Sequence, residues 1–251
     1  MLILSIDQST AIGSAAILDD QRLVAARHWA ETRFSRQQLF PSLKAMLMET
    51  GLEPGAIQLY VVGVGPGSYS GLRVALAVAR AMALPGKTPV YGITSAETLA
   101  WQASEAARVA RVLVVGDARR DQWWTRCFRR RGAMMNSVSD WALVHPRAFQ
   151  VGEAEAVATP DWARMGALLQ AAVPPAVTLI ARAFFPDAAT LGRLAIARMA
   201  QGIASESLTP IYLHPAVHAK SGDAKSGDTK SGDTKSGDAK TGGCQVASLP
   251  V

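Results

Sequence analysis

Cysteine is nearly absent, with only Cys127 and Cys244 in 251 residues. They lie far apart and form no C-x-x-C pair, so neither a disulfide framework nor a zinc site is supported, and free thiols are expected. Long apolar runs are missing too. The stretch from Val74 to Leu84 is broken by Arg80 and falls short of the roughly 20 residues a membrane span needs. No basic leader or small-residue cleavage site accompanies the strand-like Leu2-Ile3-Leu4-Ser5-Ile6, so a cytoplasmic protein without membrane attachment is expected. Lysine is scarce before the C-terminal tail, where only Lys44 and Lys87 stand against 19 arginines.

What is present is an apolar content of 49%, enough to bury a sizeable core in one large domain or two small ones. Net charge is +6, and the tail's lysines and aspartates nearly cancel, so the basic excess sits in the body. Arg119, Arg120, Arg126, Arg129, Arg130 and Arg131 crowd one short segment. Such a cluster suits an RNA or an acidic partner, or merely decorates a hairpin edge, and no aromatic RNA-binding signature accompanies it.

Apolar periodicity orders the chain. Strands are expected at 2–7, 14–18 and 24–29, with a hairpin turn at Asp19-Asp20, and then a helix from Phe34 to Glu49 that Gly51 stops. Leu59–Val64 reads as a buried strand entering a glycine-rich loop. A helix over Leu72–Leu84 follows, ended by Pro85-Gly86, and then a strand at Val90–Ile93. The order βββαβαβ predicts a ribonuclease-H-like half of an actin-like fold. A second half opens at Arg111 with an apolar strand ending in Asp117, an echo of Ile3 to Asp7. Trp123–Phe128 suits its return strand, Asp161–Ala172 and Ala188–Gln201 read as helices, and 151–159 and 177–183 give strand-like fragments. The expected architecture is α/β, a duplicated actin-like fold with a reduced second domain, divided at 1–105, 106–218 and a tail from 219 to 251. The tail repeats Lys-Ser-Gly-Asp-Ala/Thr from Lys220 and buries nothing, so it is expected to be disordered.

Asp7 at the tip of the first strand, followed by Ser9 and Thr10, stands where actin-fold ATPases hold phosphate and magnesium, and Asp117 is the matching acid of the second half. These four are the candidate nucleotide-binding residues, in vestigial form, because glycines beside the acids and a glycine-rich adenosine loop are missing. The segment Gly65-Pro66-Gly67-Ser68-Tyr69-Ser70-Gly71 lacks the lysine of a P-loop, the spacing of a dinucleotide fingerprint and the serine of a nucleophile elbow. It reads either as an anion site at a helix N-terminus or as a turn built for close packing. His214 and His218 have the i, i+4 spacing of helical metal sites, but Pro215 and the absence of a glutamate between them argue against one. No catalytic residue and no metal ligand is assigned.

The helix at 72–84 is apolar on two sides. Leu72, Leu76, Ala79 and Ala83 form one stripe, and Val74, Ala77, Val78 and Ala81 a second, nearly opposite. The bulkier stripe suits the sheet, and the small-residue stripe is the expected partner interface.

Ile6-Asp7-Gln8-Ser9-Thr10, Gly65 to Arg73, Ile93 to Leu99, Asp117-Ala118-Arg119 and Pro210-Ile211-Tyr212-Leu213 together resemble the TsaB (YeaZ) family of tRNA threonylcarbamoyladenosine biosynthesis. The resemblance is strong over about 1–130, resumes at 209–213 and is thin between. It implies a non-catalytic scaffold that pairs with a catalytic TsaD-type paralogue, which modifies adenosine 37 of ANN-decoding tRNAs. A TsaE-type P-loop ATPase is the implied third partner, tRNA an indirect one, and a homodimer a further candidate assembly. ATP or ADP is a candidate cofactor at the interface of such a complex. Where the family often has His-Ser or His-Thr, this chain has Phe34-Ser35, and His214 replaces the Arg that usually closes the tyrosine segment. The alternative from another class is an active actin-fold enzyme, a nucleotide-dependent kinase or a glycoprotease-like hydrolase.

Overall fold

The computed structural model describes residues 1–30 and 38–214. The expectations placed on Phe34–Arg36, His218, Cys244 and the repeat tail lie outside the described residues.

The first lobe is a five-stranded sheet. Strands β1 (Leu2–Asp7), β2 (Ile12–Asp19) and β3 (Arg22–Ala30) form an antiparallel meander, and β4 (Leu59–Gly63) and β5 (Val90–Ile93) extend it in parallel, in the order β3-β2-β1-β4-β5. Helices α1 (Leu39–Thr50) and α2 (Tyr69–Ala83) share one face with Leu4, Ile6, Ile17 and Val62. Helix α5 (Ala188–Ala200) covers the other face through Leu191, Leu194 and Ala195 against Ile3, Leu18 and Val61. With helices on both faces, Ile3 to Asp7 are all buried, the polar Ser5 and Asp7 among them.

The second lobe repeats the plan. Strands β6 (Arg111–Arg119), β7 (Gln122–Arg131) and β8 (Met134–Ser137) form its meander, with β9 (Ala142–Val144) on β7, and β10 (Ala156–Thr159) and β11 (Thr178–Ala183) add parallel strands in the order β11-β10-β6-β7-β8. Helix α4 (Trp162–Ala172) contributes Met165 and Leu169 to one face. Where the first lobe has α1, the second has only a 3-10 turn, Pro146–Ala148, and this is the expected reduction.

Helix α3 (Ser95–Ala107) puts Ala96, Leu99, Ala100 and Ala103 on the second sheet and packs along α5. The sequence pattern does not reveal α3. Wedged in the interior, it has every residue from Ser95 to Ala100 buried, the polar Ser95, Glu97 and Thr98 included, so polarity does not mark an outer face. Strands β8 and β9 also give no signal in the sequence, since Met134–Ser137 ends in polar Asn136 and Ser137 and Ala142–Val144 is only three residues long. Helix α2 begins at Tyr69, earlier than expected, because Ser68 caps it by accepting a hydrogen bond from Gly71 N.

Candidate functional site

Parallel pairing places the ends of β1, β4 and β5 together, which is where an actin-like lobe would meet a phosphate. The Asp7 carboxylate there accepts hydrogen bonds from Ser9 N (2.8 Å), Ser9 Oγ (2.6 Å) and Ser95 Oγ (2.6 Å). Ser95 Oγ in turn accepts from Gly65 N at 3.1 Å. Asp7 has no exposed surface, and burial pushes its pKa up against the downward pull of these bonds. Thr10 turns away, its Oγ1 donating to Ile12 O at 2.9 Å. Of the expected nucleotide residues, then, Asp7 and Ser9 meet directly, but in a closed knot that ties β1 to the start of α3.

The glycine-rich loop closes the knot from outside. Ser68 N donates to Ser9 O at 2.7 Å, and the Gly65–Pro66 peptide is cis. A Cβ at Gly67 would collide with the Ser9 carbonyl oxygen, and one at Gly71 with the Gln8 carbonyl oxygen. The glycines let two backbones touch, and the loop amides at 65, 68 and 71 already have acceptors. Close packing thus accounts for the glycines and for the amides at 65, 68 and 71.

Asp117 holds the corresponding place on β6. It pairs with Arg119 and Arg164, both at 3.2 Å, and its carboxylate also accepts from Arg119 N at 2.7 Å. Its own amide donates to Asp161. Arg119, Arg120 and Asp121 all have positive φ, a left-handed tip built without glycine. No hydrogen bond or ion pair joins Asp117 to Asp7, Ser9 or Thr10, so the fourth candidate stays apart. Among the described residues no group of three or more His, Cys, Asp or Glu could hold a metal ion, and His214 Nε2 donates to the Ala118 carbonyl at 2.6 Å.

Helix α2 sorts its stripes as its spacing predicts, with one correction. Leu72, Leu76, Ala79 and Ala83 are buried, and Val74 (42%), Ala77 and Ala81 are exposed. Val78, expected in the outer stripe, is 6% exposed and belongs to the chain's own core. At about 100° per residue it lies near the edge between the stripes, and it joins the cluster that the first sheet, α1 and α2 share. Tyr69, on the flank of the helix that bears Arg73 and Arg80, stacks on Tyr212 at 5.1 Å and carries the Arg73 guanidinium over its ring at 5.1 Å. Tyr212 stands in a sequence motif, but its role is not legible there, because its stacking partner is 143 positions earlier in the chain.

Two repeated α/β sheets with helices between them define an actin-like fold. A family model described as TsaD, tRNA N6-adenosine threonylcarbamoyltransferase, matches residues 30–212. The chain is 28% identical to the tRNA threonylcarbamoyladenosine biosynthesis protein TsaB of Escherichia coli over 68% of its own length and 73% of that protein's. To the TsaB of Bacillus subtilis it is 27% identical over 55% and 59%. Among solved structures, YeaZ from Pseudomonas aeruginosa superposes with a TM-score of 0.72 at 25% identity, covering 84% of this chain and all of that one. The chain belongs to the TsaB (YeaZ) family, within the wider group that the TsaD model describes.

Proposed function

We propose that this chain serves the formation of N6-threonylcarbamoyladenosine at position 37 of ANN-decoding tRNAs as a non-catalytic scaffold, binding and supporting a catalytic TsaD-type paralogue. The observation that carries this reading is the closed crease. A carboxylate fully buried beneath a glycine loop has no room to bring Mg²⁺ to a phosphate, so the chain's own nucleotide residues serve folding. A TsaE-type P-loop ATPase completes the assembly, and any ATP or ADP binds where subunits meet. The rival kinase or hydrolase reading would need that crease open.

The partner docks on the outer face of α2. Val74, Ala77 and Ala81 present small apolar side chains that let a second helix approach closely, and Arg73 and Arg80 flank them. Ala77→Glu with Ala81→Glu places charge in that contact and is expected to abolish association while circular dichroism stays native. The decisive assay is pull-down with the TsaD-type paralogue together with reconstituted tRNA modification, with and without this chain. Modification at full rate without the chain, or normal binding by a folded double variant, overturns the reading.

A further inference from the structure

Beyond α5 the chain runs back across the first lobe as a strap. Glu206 N donates to Gly92 O at 3.0 Å and Gly92 N to Ser205 Oγ at 2.8 Å, so the strap covers the free edge of β5. Further on, Arg80 donates to Leu208 O at 2.8 Å, Ile211 N donates to Val64 O at 2.9 Å, and Tyr212 reaches Tyr69. The strap therefore ends beside the outer face of α2.

At its start one cation serves two carboxylates from two other segments. Arg198 of α5 donates through one terminal nitrogen to Glu97 of α3 (2.7 Å) and through the other to Glu206 of the strap (3.0 Å) and the Ala204 carbonyl (3.3 Å). Its Nε is buried without an acceptor. The Arg198 and Glu97 side chains are 11% and 7% exposed. Thr94 caps α3 by accepting from Glu97 N, but the Glu97 side chain goes to Arg198. The other ionisable groups facing this cluster are Arg126 of β7 and Tyr91 of β5, and the neighbouring β8 residues Met134, Met135, Asn136 and Ser137 carry no charge. Glu97, Arg198, Glu206, Arg126 and these β8 residues line a cavity of about 260 Å³.

We propose that Glu97, Arg198 and Glu206 form a proton-operated latch that holds the strap when Glu97 is neutral and loosens it when Glu97 is ionised. With Glu97 neutral, the guanidinium has Glu206 as its one counter-charge, and the strap is drawn in. Ionised Glu97 competes for the same guanidinium and repels Glu206. Burial, opposed by Arg198 and aided by Glu206, raises the Glu97 carboxyl to about 7, so the change falls near neutrality. The latch deepens the proposed docking role and rests on it for its consequence, since Tyr212 borders the docking face.

The test is amide hydrogen exchange of the full chain, read at Glu206 and Ile211 between pH 5.5 and 8.5 and corrected for intrinsic rates. In the wild type, exchange is expected to quicken about three- to tenfold through pH 7, the scale of a neighbouring like charge on one titration. Glu97→Gln should stay slow at both ends and Glu206→Gln fast at both, each with native circular dichroism. A wild-type profile flat in pH, or a Glu97→Gln profile that still follows pH, overturns the latch. Because the readout needs no partner, its failure is separate from failure of the docking reading.

Discussion

Asp7 is a strand-end carboxylate taken up entirely by its own chain. Its carboxylate, fully buried, is the acceptor for two serine hydroxyls and a backbone amide. Removing it leaves the Ser9 amide and the Ser95 hydroxyl buried without an acceptor. Asp7→Ala is therefore expected to cost about 2–4 kcal/mol of stability, seen as a lowered denaturant midpoint, while Thr10→Ala costs much less. Equal midpoints for the two variants would contradict the knot. The motif Ile6-Asp7-Gln8-Ser9-Thr10 was legible in the sequence, and its closure was not, because Ser95 and Ser68 come from other segments.

At the scale of elements, the glycine loop and α2 form one packed unit with the β1–β2 turn. Gly71→Ala drives a methyl into the Gln8 carbonyl, and the loss expected is about 2 kcal/mol or more, roughly 4–8 °C in Tm. Gly55 is the control, since a Cβ there meets nothing within 4 Å, and Gly55→Ala should leave Tm within about 2 °C. Thermal melts of the two side by side decide whether the loop serves packing. Helix α2 itself was readable, since its two stripes follow from spacing alone. Helix α3 was not, because its first half buries polar Ser95, Glu97 and Thr98 beside Ala96 and Leu99, so polarity no longer marks a face.

Across the whole molecule, the Glu97–Arg198–Glu206 cluster joins α3, α5 and the strap, so its protonation bears on global stability. The Glu97 carboxyl rises from 4.5 to about 7 on folding, so ionising it opposes the folded state. Its contribution is complete below about pH 4.5 and is lost as pH climbs through 7. That loss amounts to at most about 3 kcal/mol. Urea unfolding at pH 5, 6, 7 and 8 should show this decline in the wild type and its absence in Glu97→Gln. A wild type and a Glu97→Gln variant with parallel pH profiles would show that the carboxyl ionises freely.

The sequence by itself determined the α/β order, the duplication marked by Asp7 and Asp117, the inward and outward stripes of α2 and the family, since each rests on local periodicity or on a contiguous motif. Only the tertiary structure decided that the crease is closed, that Val78 belongs to the core, that α3 lies between the sheets and that Glu97 shares Arg198 with the strap. Each of these depends on which distant segments meet. Burial and hydrogen bonding between residues about 90 to 130 positions apart leave no pattern along the chain, because they arise only when the sheets and helices have packed.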